Sequence, residues 1–272
     1  MRLGVNVPNF GPGTDPGVLR GWAKTVEGLG FDLLMVSDHV VVTDDVAVEY
    51  PAPFYEPFTT LSWLAGITDR VRLGTTVLVV PYRDPLLVAR MAANLNDLSG
   101  GRFVLGVGVG WAKQEFAKLG VPFERRGRLT DDYLGEIRAA WANTGDYRAG
   151  HIPIWVGGNS EAAIRRTKAF GDVWHPLHCT VDWLAAAVER TKPEALAPRI
   201  ALRLTEEPIT GTERIAGEGT IDQVIDDLHR ISAFGAETVL LDTYTGDPAN
   251  TLEPENAWQA LATVAANWKE AQ

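Results

Sequence analysis

The chain has 272 residues, a hydrophobic fraction of 46%, a charged fraction of 22% and a formal net charge of -10. That length and balance suit one large α/β domain with a sizeable core. The acidic charge argues against a broad nucleic-acid face, which needs basic residues to neutralise phosphates. A single cysteine, Cys179, excludes an internal disulfide and a thiolate zinc site, and it fits a reducing, cytoplasmic setting. No signal-peptide core opens the sequence, and no run of about 18 apolar residues marks a membrane span.

Short β-branched runs alternate with amphipathic stretches that end near glycine. A strand over Leu3 to Val7 leads to a helix from Pro16 to Leu29, stopped at Gly30. The second strand, Asp32 to Ser37, precedes a long irregular segment from Val40 to Glu56, rich in proline and aromatics. A helix over Phe58 to Ile67 precedes a third strand, Val71 to Val79, and Asp84-Pro85 opens a helix to Leu98. The fourth strand, Phe103 to Val107, runs into Gly106-Val107-Gly108-Val109-Gly110-Trp111, the start of an extended loop. A helix over Leu129 to Trp141 separates it from a fifth strand, Ile152 to Val156.

Beyond it, a helix over Ser160 to Phe170 is followed by a sixth strand, Asp172 to Trp174. Then come a helix over Val181 to Arg190, a seventh strand over Arg199 to Leu204 and a helix over Thr220 to Phe234. An eighth strand, Glu237 to Asp242, precedes a final helix over Glu253 to Trp268. About eight strand–helix units in a chain of this length predict a closed (β/α)8 barrel, rather than an open doubly wound sheet. The barrel is expected to be a single domain spanning residues 1–272.

Barrels keep their chemistry at strand C-termini and in the loops that follow. Gly157-Gly158-Asn159-Ser160 ends a strand and begins a helix, so its backbone N–H groups could cradle a phosphate. The same residues read equally as a tight turn with an ordinary N-cap. The Gly106 to Gly110 run lacks the spacing of a dinucleotide fingerprint. It either clears space for a flat ring beside Trp111 or packs closely against its neighbours. Asp38-His39 sets a carboxylate and an imidazole at a strand end, where a histidine can move protons or simply tie down a loop. Tyr50, Phe54 and Tyr55 could line an apolar substrate cavity or equally pack at a subunit interface, and Trp111 and Trp174 join Tyr50 and Phe54 as candidate pocket residues. Neither His175 nor His178 has the companions of a metal site, and no metal is expected. Nucleophile-elbow and Walker motifs are absent, so hydrolysis and phosphoryl transfer lack their parts.

The ordered segments Gly30-Phe31-Asp32, Ser37-Asp38-His39, Val71 to Val77 and Leu98 to Trp111 resemble the bacterial luciferase-like monooxygenase superfamily. Pro153 to Ser160, Gly171 to Trp174 and Gly219 to Val224 continue the match. The similarity is greatest to its coenzyme F420-dependent branch. The resemblance implies that Asp38, Thr76, Val77 and Val79 contact the ring of F420. It implies that Val109, Gly110, Gln114 and the Gly157 to Ser160 loop hold the ribityl phosphate, and that His39 acts at the reacting centre. It also implies a non-prolyl cis peptide within Thr75 to Val77, a small-molecule substrate and a homodimer. Arg83, Lys113 and Arg165 are candidates for an anionic cofactor tail. Some relatives carry a catalytic glutamate where Trp111 stands; Glu115 lies just beyond. Hydride transfer to or from a small organic substrate is the expected activity. The alternatives are an FMN-dependent monooxygenase and a non-catalytic flavin- or deazaflavin-binding protein.

Overall fold

The computed structural model describes residues 1–142 and 147–270. The first half of the chain contains β1 (Arg2–Val7), α1 (Pro16–Gly28), β2 (Leu33–Val36), α2 (Asp44–Ala47), α3 (Pro57–Ala65), β3 (Arg72–Thr75) and β4 (Leu78–Val79). Next come α4 (Pro85–Leu98), β5 (Phe103–Gly108), α5 (Lys113–Lys118) and α6 (Arg126–Ala142). The second half contains β6 (Ile154–Gly157), α7 (Glu161–Phe170), β7 (Val173–His175), α8 (Val181–Thr191), β8 (Arg199–Ala201) and β9 (Arg203–Leu204). It closes with β10 (Glu218–Gly219), α9 (Ile221–Ala233), β11 (Thr238–Asp242) and α10 (Pro254–Glu270).

The strands run in the order β7-β6-β5-β3-β2-β1-β11-β8, each pair parallel. Single parallel bridges, Trp174 to Leu196 and Leu177 to Arg199, join the two ends and all but close an eight-stranded barrel. Helix starts follow local chemistry. Asp15 caps the N–H of Val18 ahead of Pro16, Asp84 caps Leu86 and Leu87 ahead of Pro85, and Thr220 with Gln223 forms a capping box.

Alternation along each strand sorts the core into two layers. Leu3, Val5, Leu34, Leu105, Ile154 and Leu241 face the helices. Their neighbours Leu33, Met35, Val104, Trp155 and Leu240 form a separate cluster that fills the barrel. Above that plug the inward positions turn polar.

Three expectations need correcting. The third strand is interrupted after Thr75, and the peptide between Thr76 and Val77 is cis, within the interval the resemblance implied. The interruption leaves the Thr76 hydroxyl and carbonyl to side chains from across the barrel. The seventh strand is broken after Ala201: Leu202 still donates its N–H to the Asp242 carbonyl of β11, while Ala201 and Arg203 donate on the other edge to Ala216 and Gly217. Gly217 permits that approach at φ +86, where a Cβ would lie 1.7 Å from the Ala201 carbonyl oxygen. Finally, α2 and α5 are short helices inside segments read as loops.

Candidate active site

At the C-terminal mouth, inward positions of β1, β7, β8 and β11 carry Asn6, His175, Arg199 and Asp242, all buried. Arg199 donates from Nε and Nη2 to one Asp242 oxygen, at 2.8 and 2.5 Å, and from Nη1 to the Thr76 carbonyl at 3.1 Å. Asn6 donates to the other Asp242 oxygen at 2.9 Å. Burial alone would raise the Asp242 carboxyl, but the Arg199 guanidinium, helped by His178, holds it well below the usual carboxylate range. His175 donates from Nδ1 to the Ala197 carbonyl, and its Nε2 accepts from the Thr76 hydroxyl at 2.9 Å. Burial pushes its pKa down to about 4, so it is a neutral imidazole that fixes Thr76.

The loop after β2 carries the second network. His39 Nδ1 lies 2.6 Å from Oε2 of Glu115, a fully buried residue of α5. The other Glu115 oxygen accepts from the N–H groups of Val40 and Val41 at 2.6 and 3.0 Å, and Tyr82 donates its hydroxyl to Oε2 at 2.9 Å. Burial opposes ionisation of Glu115. The bonds from His39, Val41 and Val40 outweigh it and hold the carboxyl below its ordinary value. A carboxylate on Nδ1 selects the tautomer that leaves the Nε2 lone pair free. Among the described residues Nε2 has no protein partner, and His39 lines the mouth cavity. Tyr50, Phe54 and Trp111 surround its ring at centroid distances of 5.4, 5.4 and 5.7 Å.

Asp38 is tied the other way. Arg83 forms a bidentate pair with it, both bonds 2.8 Å, and the Val79 N–H donates at 2.9 Å. Burial raises the Asp38 carboxyl more than Arg83 lowers it. Arg83 also reaches Glu56 at 3.1 Å, so it is a half-buried structural cation shared by two carboxylates, with no charge to spare for a cofactor tail.

The cavity between these networks has a volume of about 250 Å³. Asp38, His39, Tyr50, Thr76, Val77, Val79, Val109, Gly110, Trp111, Gly157 and Gly158 line it, so most of the residues picked from the sequence converge here. Five do not line it. Gln114 is exposed, its backbone N–H bonded to Asp45. Phe54 stacks on Phe10 behind His39. Trp174 is buried on the helix side and donates from Nε1 to the Gly158 carbonyl at 2.9 Å. Asn159 clamps the backbone of Leu177 on both sides, and Ser160 caps α7 at the exposed rim. Sequence reasoning missed Arg199, Asp242 and Asn6, whose signal was a polar residue on the inward face of an otherwise apolar strand.

The glycines of β5 answer to packing. A Cβ on Gly106 would sit 1.9 Å from the Thr75 carbonyl oxygen, and one on Gly108 would sit 2.4 Å from Val77. They let β5 close against the interrupted strand. The segment from Val40 to Glu56 is a fixed wall. Glu115 holds its start, the Gln114 N–H bonds Asp45, and the Tyr244 hydroxyl donates to the Glu49 carbonyl. No helix among the described residues is long and apolar enough to cross a membrane, and those residues contain no cluster of three or more His, Cys, Asp or Glu side chains placed to hold a metal ion.

Comparison with known proteins agrees with this architecture. An uncharacterized protein of Mycobacterium tuberculosis is 30% identical over 242 residues, covering 75% of this chain and 82% of its own. A putative coenzyme F420-dependent oxidoreductase of the same organism is 33% identical over 152 residues, 53% of this chain and 42% of its own. Among solved structures, the F420-dependent tetrahydromethanopterin reductase of Methanopyrus kandleri superposes with a TM-score of 0.72 at 15% identity, over 99% of both chains. The FMN complex of the oxygenating constituent of 3,6-diketocamphane monooxygenase from Pseudomonas putida gives 0.73 at 14%, over 97% of both. At those identities the structures speak for the barrel fold. A family model for luciferase-like monooxygenases matches residues 1–203, three quarters of the sequence, and the chain belongs to that family.

Proposed function

We propose that the protein is an F420-dependent oxidoreductase that interconverts a secondary alcohol and a ketone, with His39 as the proton-transfer group. The observation that carries this reading is the buried Glu115 carboxylate on Nδ1 of a histidine whose Nε2 faces the cavity. When an alcohol is oxidised, its hydroxyl proton goes to Nε2, and the imidazolium is stabilised by Glu115 at 2.6 Å. In reduction the same nitrogen returns the proton to the carbonyl oxygen. Bound F420 supplies the hydride acceptor or donor.

The residues fit such a group. A cavity of about 250 Å³ suits a tricyclic ring but not a whole cofactor. Val77, Val79, Gly157 and Gly158 would border the ring, and the Asn159–Ser160 rim would pass its phosphate to the start of α7. Tyr50 and Trp111, whose rings flank His39, would shield the reacting atoms once a ligand closes the mouth. In this reading Trp111 in place of a glutamate costs nothing, because the carboxylate acts from beneath the histidine.

Anaerobic rapid-mixing of reduced F420 with a ketone, for the wild type and His39→Ala, tests the proposal. Hydride transfer slowed by about 10²-fold or more, with F420 affinity little changed, supports it. Equal rates would make His39 structural. The FMN-dependent alternative predicts oxygen-dependent turnover with reduced FMN and none with F420.

A further inference from the structure

The mouth of the barrel is larger than the reaction cavity. Tyr50 and Arg199 form a common wall with a second lobe of about 570 Å³, bordered by Glu49, His178 and Glu218. Arg203 and Tyr244 in turn separate that lobe from a third of about 740 Å³, lined by Leu202, Leu204, Thr243 and Leu252. The three lobes adjoin through these shared residues in a trench that leads from the barrel mouth to the flank of α10, whose Ala257, Ala260 and Thr263 line the third lobe.

Its chemistry is uneven. The only two arginines lining it among the described residues are both engaged, Arg199 with Asp242 and Arg203 with Glu218. No lysine lines any of the lobes. Glu49 and Glu253 border the trench without an ion pair among the described residues. An anionic ligand would meet uncompensated carboxylates. The middle lobe is ringed by ionisable side chains that are largely paired with one another, whereas the third is apolar or neutral apart from Arg203 and Glu253; Thr243, one of its lining residues, has a buried hydroxyl with no hydrogen-bond partner among the described residues. An unmatched buried hydroxyl is costly unless a ligand supplies its partner.

We propose that the trench is the substrate channel and that the substrate is long and uncharged. Its reacting carbon lies beside His39, its apolar body passes Tyr50, and an oxygen further along bonds Thr243. This deepens the oxidoreductase reading and rests on it only for the choice of a ketone or secondary alcohol as the reacting end. An anionic cofactor tail would leave the cavity on the opposite side, by Ser160, so channel and cofactor do not compete.

Calorimetric titration of the cofactor-free protein with straight-chain methyl ketones of increasing length, and with their ω-carboxylates, tests the channel. Affinity should rise roughly twofold to fourfold per added methylene until the distal lobe is filled. Each carboxylate should bind at least tenfold more weakly than the neutral ketone of equal length. Ala260→Trp, which places an indole in the third lobe, should remove the gain for the longest ketones and leave short ones unaffected. Affinity independent of length, or carboxylates binding as well as neutral ketones, would overturn the proposal. Because no cofactor is present, a length-dependent series in a protein that fails to bind F420 keeps the channel and rejects only the oxidoreductase reading.

Discussion

Oε2 of Glu115 accepts from both His39 Nδ1 and the Tyr82 hydroxyl, at 2.6 and 2.9 Å, so one buried oxygen joins the loop after β2 to the turn after β4. Glu115→Gln separates the charge from the shape. A glutamine carbonyl can still accept from Val40 and Val41, but its amide then faces His39 and Tyr82 with donors. An amide donating to Nδ1 forces the proton onto Nε2, and the histidine can no longer accept from the substrate. Alcohol oxidation should fall about 10²-fold or more, and the fold should lose about 2–4 kcal/mol. Steady-state kinetics across pH, with thermal denaturation on the same samples, separates this positioning effect from simple unfolding.

The neutral state of His175 gives the fold a pH dependence. Its folded pKa, about 4, lies below the ordinary 6.5, so the unfolded chain binds the extra proton first as pH falls. The related stability is intact above pH 6.5 and is lost between there and pH 4, about 3 kcal/mol in all. The melting temperature should drop across that window, and His175→Asn should flatten the drop while lowering the plateau. An unchanged slope in the variant would place the titration elsewhere.

Arg83→Met should cost about 3–5 kcal/mol at neutral pH, because it leaves the Asp38 carboxylate buried and unpaired. Burial already raises that carboxyl. Without its partner it takes up a proton in the folded state before the unfolded state does, so the deficit should shrink as pH is lowered. Denaturant unfolding at several pH values reads both effects, and Asp38→Asn added to Arg83→Met should recover part of the loss.

Gly158 sits at φ +116, where any L side chain is strained, so a charge is better placed two residues on. Ser160 caps α7 at an exposed position, and aspartate is an equally good cap. Ser160→Asp should therefore leave the melting temperature within a degree or two while weakening a phosphate-bearing cofactor at least tenfold. Equal affinity would move the phosphate away from α7.

Much of this was legible in the sequence, for identifiable reasons. Alternating periodicity and capped helices marked the barrel units, because every unit must bury one face. Strand ends marked Asp38, His39, Gly157 and Gly158, since a barrel's mouth is where those positions converge. What was illegible depended on facing. Arg199 opens β8 and Asp242 ends β11, and only the register of the two strands shows that both point inward as a pair. Glu115 lies on a helix of six residues, too short for its periodicity to register, so its place beneath His39 emerges only in three dimensions. Trp174 read as a pocket residue because it ends a strand, but alternation turns it toward the helices and leaves His175 facing in.

The most direct test is a fluorescence titration of the purified apo-protein with F420 and FMN in parallel. Micromolar or tighter binding of F420, with FMN at least tenfold weaker, is the expected result. Preference for FMN would contradict the deazaflavin reading and point to oxygen chemistry. Failure to bind either would contradict the cofactor site itself.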